Sequence, residues 1–62
     1  MPMTPREMIR LLKAHGFSEV GSNGSHRKLY HSGTHTTVIV PYHSKALKPG
    51  TEQAILKQAG LK

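Results

Sequence analysis

Hydrophobic residues follow two different periods along the chain, and the change of period separates helices from strands. Between residues 4 and 15 (TPREMIRLLKAH), Met8, Leu11, Leu12 and His15 fall at the spacing of one helix face, with a polar residue at its end. Ile9 widens the same stripe, while Arg6, Arg10 and Lys13 lie largely on another side. This segment therefore predicts an amphipathic helix.

Both ends of this first helix carry recognisable signals. Thr4 is suited to be the N-cap, Pro5 fits the first helical position, and Glu7 stands three residues after Thr4 as in a capping box. Gly16 fits the left-handed conformation that commonly ends a helix. The signals predict a helix that starts after Thr4 and stops before Gly16.

The middle of the chain shows strand patterns. FSEVGS (17–22) predicts a short strand with Phe17 in the core, SHRKLYHS (25–32) a second strand, and the β-branched HTTVIVPY (35–42) a third that Pro41 closes. The short turn SGT at 32–34 predicts that the last two strands form an antiparallel hairpin. Strict alternation would place His26, Lys28 and Tyr30 on one face of the second strand, and Arg27, Leu29 and His31 on the other.

The last segment, LKPGTEQAILKQAGLK, predicts a second helix. Pro49 suits its first position and Gly60 its end. The order helix, three strands, helix predicts an α+β two-layer sandwich in which two helices cover one face of a three-stranded antiparallel sheet. The other face is then left to water or a partner. We expect a single domain over residues 1–62.

The net charge of the chain says more about its possible partners than its overall composition does. Nine lysine and arginine residues stand against three acids, which gives a net charge of +6 in 62 residues. Such a field attracts polyanions, and an RNA, another phosphate-rich ligand or an acidic protein would all satisfy it. The sequence has no cysteine, which excludes disulfides and thiolate metal sites, and no apolar run long enough for a membrane span. We expect a soluble cytoplasmic protein without cofactors.

The segment GSHRK is the first candidate for chemistry. Imidazole both takes and gives a proton near neutrality, and RNA carries its own nucleophile, the ribose 2′-OH. His26 at the start of a strand is therefore a candidate general acid or base, with Arg27 and Lys28 beside it to neutralise phosphate charge. Gly24 and Ser25 would bring backbone and hydroxyl close to a phosphate. The plain alternative is a basic hairpin in which Gly21, Asn23 and Gly24 only reverse the chain.

A second cluster lies in PYHSKALKPG. Tyr42 is a candidate for stacking on a base or for covering the edge of the core, and His43 for contacting a phosphate or moving a proton. Lys45 and Lys48 are candidate phosphate contacts. Four histidines raise the alternative of a zinc site, but their spacing matches no compact ligand pattern, so no metal is expected. These four are His26, His31, His35 and His43.

The passages TPREMIRLLKAHGF, GSHRKLYH and TVIVPYHSKALKPGTEQAILKQAGL together resemble the HicA (YcfA-like) toxin family over nearly the whole chain. The resemblance implies a double-stranded-RNA-binding-domain-like fold in the order α-β-β-β-α. It also implies an mRNA interferase, a ribosome-independent endoribonuclease of a type II toxin–antitoxin module. The catalytic histidine of the Gly-Ser-His motif falls on His26, after Gly24 and Ser25, and the implied partner is a HicB antitoxin.

The resulting hypothesis is a metal-independent endoribonuclease that acts on single-stranded mRNA. Its candidate RNA or phosphate contacts are Gly24, Ser25, Arg27, Lys28, Tyr42, His43, Lys45 and Lys48. Two alternatives stay open at this point. One is a non-catalytic RNA-binding module of the same fold, and the other is a protein whose basic face serves only an acidic protein partner.

Overall fold

The computed structural model describes residues 3–43 and 45–62, which form two helices and one sheet. Helix α1 spans Pro5–Ala14, and α2 spans Pro49–Gln58. Between them lie β1 (Ser18–Asn23), β2 (His26–His31) and β3 (Thr36–Pro41), which pair antiparallel in the order β1-β2-β3. The predicted element order and the α+β class are confirmed.

The N-terminus of α1 is closed by the predicted capping box. The Thr4 hydroxyl accepts a hydrogen bond from the Glu7 backbone N–H at 3.2 Å, and the Glu7 carboxylate accepts from the Thr4 backbone N–H at 2.9 Å. Pro5 occupies the first helical turn, where its missing N–H costs nothing. Two otherwise unpaired N–H groups are thereby satisfied.

Both helices end in the same glycine motif. After α1, the Gly16 N–H donates to the Lys13 carbonyl and the Phe17 N–H to the Leu12 carbonyl. After α2, Gly60 and Leu61 make the equivalent bonds to Lys57 and Leu56. These are Schellman motifs, and both glycines have positive φ, +94° at Gly16 and +77° at Gly60. The predicted helix ends are confirmed.

The core lies between the helices and one face of the sheet. Leu29 of β2 and Val38 and Val40 of β3 are completely buried there, and α1 and α2 cover them. The buried apolar side chains are Met8, Ile9, Leu12, Phe17, Leu29, Val38, Val40, Leu47 and Ile55. Within residues 3–43 and 45–62, neither helix is long and apolar enough to cross a membrane.

The buried stripe of α1 differs from the predicted one. Pro5, Met8, Ile9 and Leu12 are buried, whereas His15 is exposed. The helix ends at Ala14, so His15 is the C-cap residue and its backbone has left helical geometry. The side chain therefore does not extend the stripe by a further turn.

The opposite face of the sheet, which we call the open face, has no covering layer among the described residues. Two apolar side chains are markedly exposed, Val20 at 55% and Ile39 at 51%. Ile39 lies directly opposite Lys28 in the β2–β3 register. The alternation predicted for β2 is confirmed: Leu29 faces the helices, and Lys28 faces outward.

The β1–β2 connection is a tight hairpin with only Gly24 and Ser25 in its loop, since Asn23 pairs with His26. Gly24 has φ +59°, which suits a glycine at the first loop position of a type II′ turn. The register shifts between Glu19 and Gly21, so a β-bulge lies at Val20. Of the three residues considered for reversing the chain, Gly24 lies in the turn, Asn23 ends β1 directly before it, and Gly21 lies within the strand.

His31 is a packing residue at the far end of β2. Its ring meets Phe17 edge-on at 5.1 Å between centroids, and its Nδ1 accepts from the Thr34 N–H at 3.2 Å. A Cβ on Gly16 would come within 2.7 Å of its Nε2, and one on Gly33 within 2.8 Å of its Cε1. Two glycines thus leave the space that this half-buried ring occupies.

We expect Gly16→Ala to lower stability more than Gly60→Ala does. Both substitutions place a Cβ in left-handed backbone, which costs about 1–2 kcal/mol. Only the first also displaces His31, since the position around Gly60 is open. Thermal unfolding followed by circular dichroism measures the difference, and about 4–8 °C in Tm corresponds to 1 kcal/mol in a domain of this size. Equal losses would show that the His31 packing contributes nothing.

The capping box also predicts a dependence on pH. Hydrogen bonds from the Thr4 backbone and side chain hold the pKa of Glu7 below the usual value of 4.5. The ionised form is thus favoured by folding, and its stabilisation is present above pH 4.5 and lost as pH falls through the lowered pKa. Glu7→Gln should flatten the decline of stability in this acid range. Urea unfolding of both proteins between pH 7 and pH 3 tests it, and parallel curves would contradict the assignment.

Candidate functional site

His26 is the first residue of β2 and is exposed. It lies between two neighbouring strands, directly opposite Asn23 of β1 and Pro41 of β3. Two residues earlier, Gly24 has open space where a side chain would stand. The Gly-Ser-His segment therefore brings an accessible imidazole and an accessible stretch of backbone to one end of the sheet.

A shallow hollow on the open face contains this imidazole. Lys28 follows His26 on the same side of β2, and Ile39 lies across from Lys28. The hollow is lined by Val20, Gly21, Ser22, Asn23, His26, Lys28 and Ile39. An imidazole and an ammonium thus share one surface with two exposed apolar side chains, a combination that accepts a phosphate together with an apolar or aromatic group.

The three acidic side chains of the chain all bind partners outside this hollow. Glu7 belongs to the cap of α1, and the Glu52 carboxylate accepts from the Met3 N–H at 2.9 Å. Glu19 lies opposite Leu29 on the helix side of the sheet and binds Arg27. In the part of the chain that the structure describes, the hollow has a positive charge and no carboxylate lining it.

Arg27 lies on the other face of β2 from His26 and Lys28. Its guanidinium is 2.9 Å from the Glu19 carboxylate and 4.4 Å from the centroid of the Tyr42 ring. Tyr42 itself packs against the core, as one of its two sequence interpretations predicted. The structure therefore brings Arg27 and Tyr42 together, but does not place them in the hollow that contains His26.

The segment after β3 forms a second basic region. His43 and Arg6 line one hollow with Tyr42, and His43 lines another with Lys45 and Lys48. The His43 Nδ1 accepts from the Lys45 N–H at 3.3 Å. Pro41 connects the two sites, because it lies opposite His26 and also lines the hollow of the two lysines.

The four histidines considered for a zinc site do not gather. His31 packs against Phe17, whereas the His35 Nδ1 is 2.9 Å from the Tyr30 hydroxyl in the β2–β3 turn. That turn lies at the opposite end of β2 from His26. Within residues 3–43 and 45–62, no three histidine or acidic side chains come close enough to hold a metal ion.

Sequence reasoning missed several residues around His26. Ile39 could have been found from strand alternation, since it is the exposed position between buried Val38 and Val40. Asn23 could have been found from the tight turn that follows it. Alternation also sends Val20 outward, since Glu19 before it faces the helices, but Gly21 could not have been found, because a β-bulge brings it opposite Lys28. Glu19 carried one signal, its rarity as one of three acids in a basic chain.

Comparison with known proteins supplies the family. No curated protein matched the chain. A family model described as the HicA toxin of bacterial toxin–antitoxin systems matches residues 5–61, from the first residue of α1 to beyond the end of α2. The match therefore includes the Gly-Ser-His turn, the open face and both helices, and the chain belongs to the HicA toxin family.

Proposed function

We propose that this toxin is a metal-independent endoribonuclease that cleaves single-stranded mRNA, with His26 as its general acid or base. The observation that carries the proposal is the exposed imidazole of His26 beside Lys28, in a hollow with no carboxylate among its lining residues. An imidazole in such a place is free to meet a polyanion. The net charge of +6 favours the approach of RNA.

The proposed reaction needs few groups from the protein. The ribose 2′-oxygen loses its proton and forms a bond to phosphorus, the bond from phosphorus to the 5′-oxygen breaks, and that leaving oxygen takes up a proton. His26 performs one of these two transfers, and water or a lysine performs the other. Lys28 and the backbone N–H groups near Gly24 and Ser25 stabilise the charge that builds on the phosphate oxygens.

The second basic region extends the proposed RNA path. His43, Lys45 and Lys48 are exposed beyond Pro41, which adjoins His26 across the β2–β3 pair. A single strand that crosses the open face at His26 can therefore continue onto these cations. We assign them phosphate contacts, so that among the histidines only His26 transfers a proton in the proposed reaction.

A toxin of this family has an antitoxin partner. We propose that the partner is HicB-like and presents an acidic surface, since like charge would oppose binding to a chain of net charge +6. The natural position for that surface is the open face, which carries His26 and Lys28. We place both proteins in the cytoplasm, where mRNA is the accessible polyanion.

We expect His26→Ala to reduce RNA cleavage by about 10²–10⁴-fold, the usual contribution of a general acid or base. Purified protein is incubated with a defined transcript in the presence of a chelator, and initial rates are read from gels. His15→Ala is the matched control, because it removes an exposed histidine that is the C-cap of α1. The comparison uses variants with unchanged circular dichroism.

The results separate the alternatives. Intact RNA after long incubation with the wild-type protein, together with salt-dependent binding, would favour the non-catalytic RNA-binding module. No RNA affinity at physiological salt would favour the purely protein-binding alternative. Cleavage by His26→Ala at the wild-type rate would refute the catalytic assignment.

Lys28 should contribute a phosphate contact that depends on salt. In a His26→Ala background, where cleavage is slow enough for binding to be measured, Lys28→Gln should weaken binding and reduce the slope of log K against log salt by about 0.7, the value for one phosphate on a single strand. Lys57→Gln removes the same charge from the last turn of α2 and is the control. Identical slopes for the two variants would contradict a contact at Lys28.

A further inference from the structure

We propose that Arg27 acts as a positioning residue, held by Glu19 and Tyr42, and that it fixes the Gly24–Ser25 turn from the helix side of the sheet. The inference rests on the proposed catalytic role of His26. It assigns Arg27 a different task from the phosphate contact that the sequence predicted. Three interacting side chains carry the inference: Glu19 of β1, Arg27 of β2 and Tyr42, the residue after β3. We call this set the Arg27 clamp.

The Arg27 clamp joins β1 to β2 and to the residue that follows β3. The Arg27 guanidinium binds the Glu19 carboxylate at 2.9 Å and lies over the Tyr42 ring at 4.4 Å from its centroid. Lys13 of α1 approaches the same carboxylate at 3.8 Å. Arg27 therefore already has a carboxylate partner within the protein, which it shares with Lys13.

One further bond connects the clamp to the turn itself. The Tyr42 backbone N–H donates to the Ser25 carbonyl, which continues the β2–β3 pairing by one residue beyond His26 and Pro41. The residues on both sides of His26 are therefore restrained: Ser25 through this backbone bond and Arg27 through its side chain. Because neighbouring strand residues point to opposite faces, restraint on the helix side orients His26 on the open face.

The geometry disfavours a phosphate contact by the same guanidinium. Arg27 follows the alternation of Leu29 and lies opposite Val40, on the face that the helices cover. His26 and Lys28 line the hollow on the other face. To reach a phosphate bound there, Arg27 would have to leave both Glu19 and the ring of Tyr42.

Kinetics of RNA cleavage distinguish the two roles. Under single-turnover conditions at saturating RNA, Arg27→Gln should lower the cleavage rate by about 10- to 100-fold, the order expected for a misplaced reacting group. Its RNA affinity and salt slope should match those of Lys57→Gln, the charge-matched control. A fall in affinity with the smaller salt slope predicted for Lys28→Gln, at an unchanged maximal rate, would overturn the proposal.

Glu19→Gln gives the sharper test because the two roles predict opposite effects. If Arg27 positions the turn, loss of the carboxylate lowers the cleavage rate although the protein becomes more basic. If Arg27 binds phosphate, release from Glu19 tightens RNA binding and preserves the rate. Tyr42→Leu, which removes the ring beneath the guanidinium, should resemble Arg27→Gln.

Amide hydrogen exchange reports on the clamp without any RNA. The Tyr42 amide donates to Ser25, so its protection should fall in Arg27→Gln and Glu19→Gln and stay unchanged in Lys57→Gln. Unchanged protection in both clamp variants would overturn the inference. A wild-type protein that leaves RNA intact would refute the proposed function instead, and the exchange data would still decide whether the clamp holds the turn.

Discussion

The pairing of Leu29 with Val38 is the constraint on which the rest of the structure depends. The two residues lie directly opposite each other in β2 and β3, and both are completely buried beneath the helices. A slip of one residue would move Lys28 or Ile39 into the core, so burial fixes the register strongly. That same register puts His26 opposite Pro41 and sends its side chain to the open face. The register that packs the core therefore also exposes the candidate catalytic residue.

The two faces of β2 carry different kinds of side chain. The helix side carries Leu29 and the Arg27 clamp, and the open side carries His26 and Lys28. Exposed ion pairs contribute little to stability by themselves. In the proposed positioning role, the pairing of Arg27 with Glu19 matters because Arg27 lies beside the turn, and not because the ion pair is strong. A charge can therefore matter to the proposed reaction without touching RNA.

The chain has nine lysine and arginine residues against three acids, which makes its surface strongly positive. Each of its three carboxylates meets a partner within the protein: the α1 cap for Glu7, Arg27 for Glu19, and the Met3 N–H for Glu52. The surplus of cations is left to the solvent and to partners. RNA and an acidic antitoxin surface would both satisfy it, and the proposed function has them compete for the same face.

The sequence by itself determined the elements, because their signals are local. The capping box at Thr4, the glycines after each helix and the alternation of β2 all act within a few residues, and each prediction from them was confirmed. His26 as a candidate also followed from a short motif. Only the tertiary structure decided that Arg27 meets Glu19 and Tyr42, that a bulge brings Gly21 opposite Lys28, and that His31 fills space beside Gly16. These contacts join residues from different strands and loops, and their geometry exists only once the hydrophobic core has set how the elements pack.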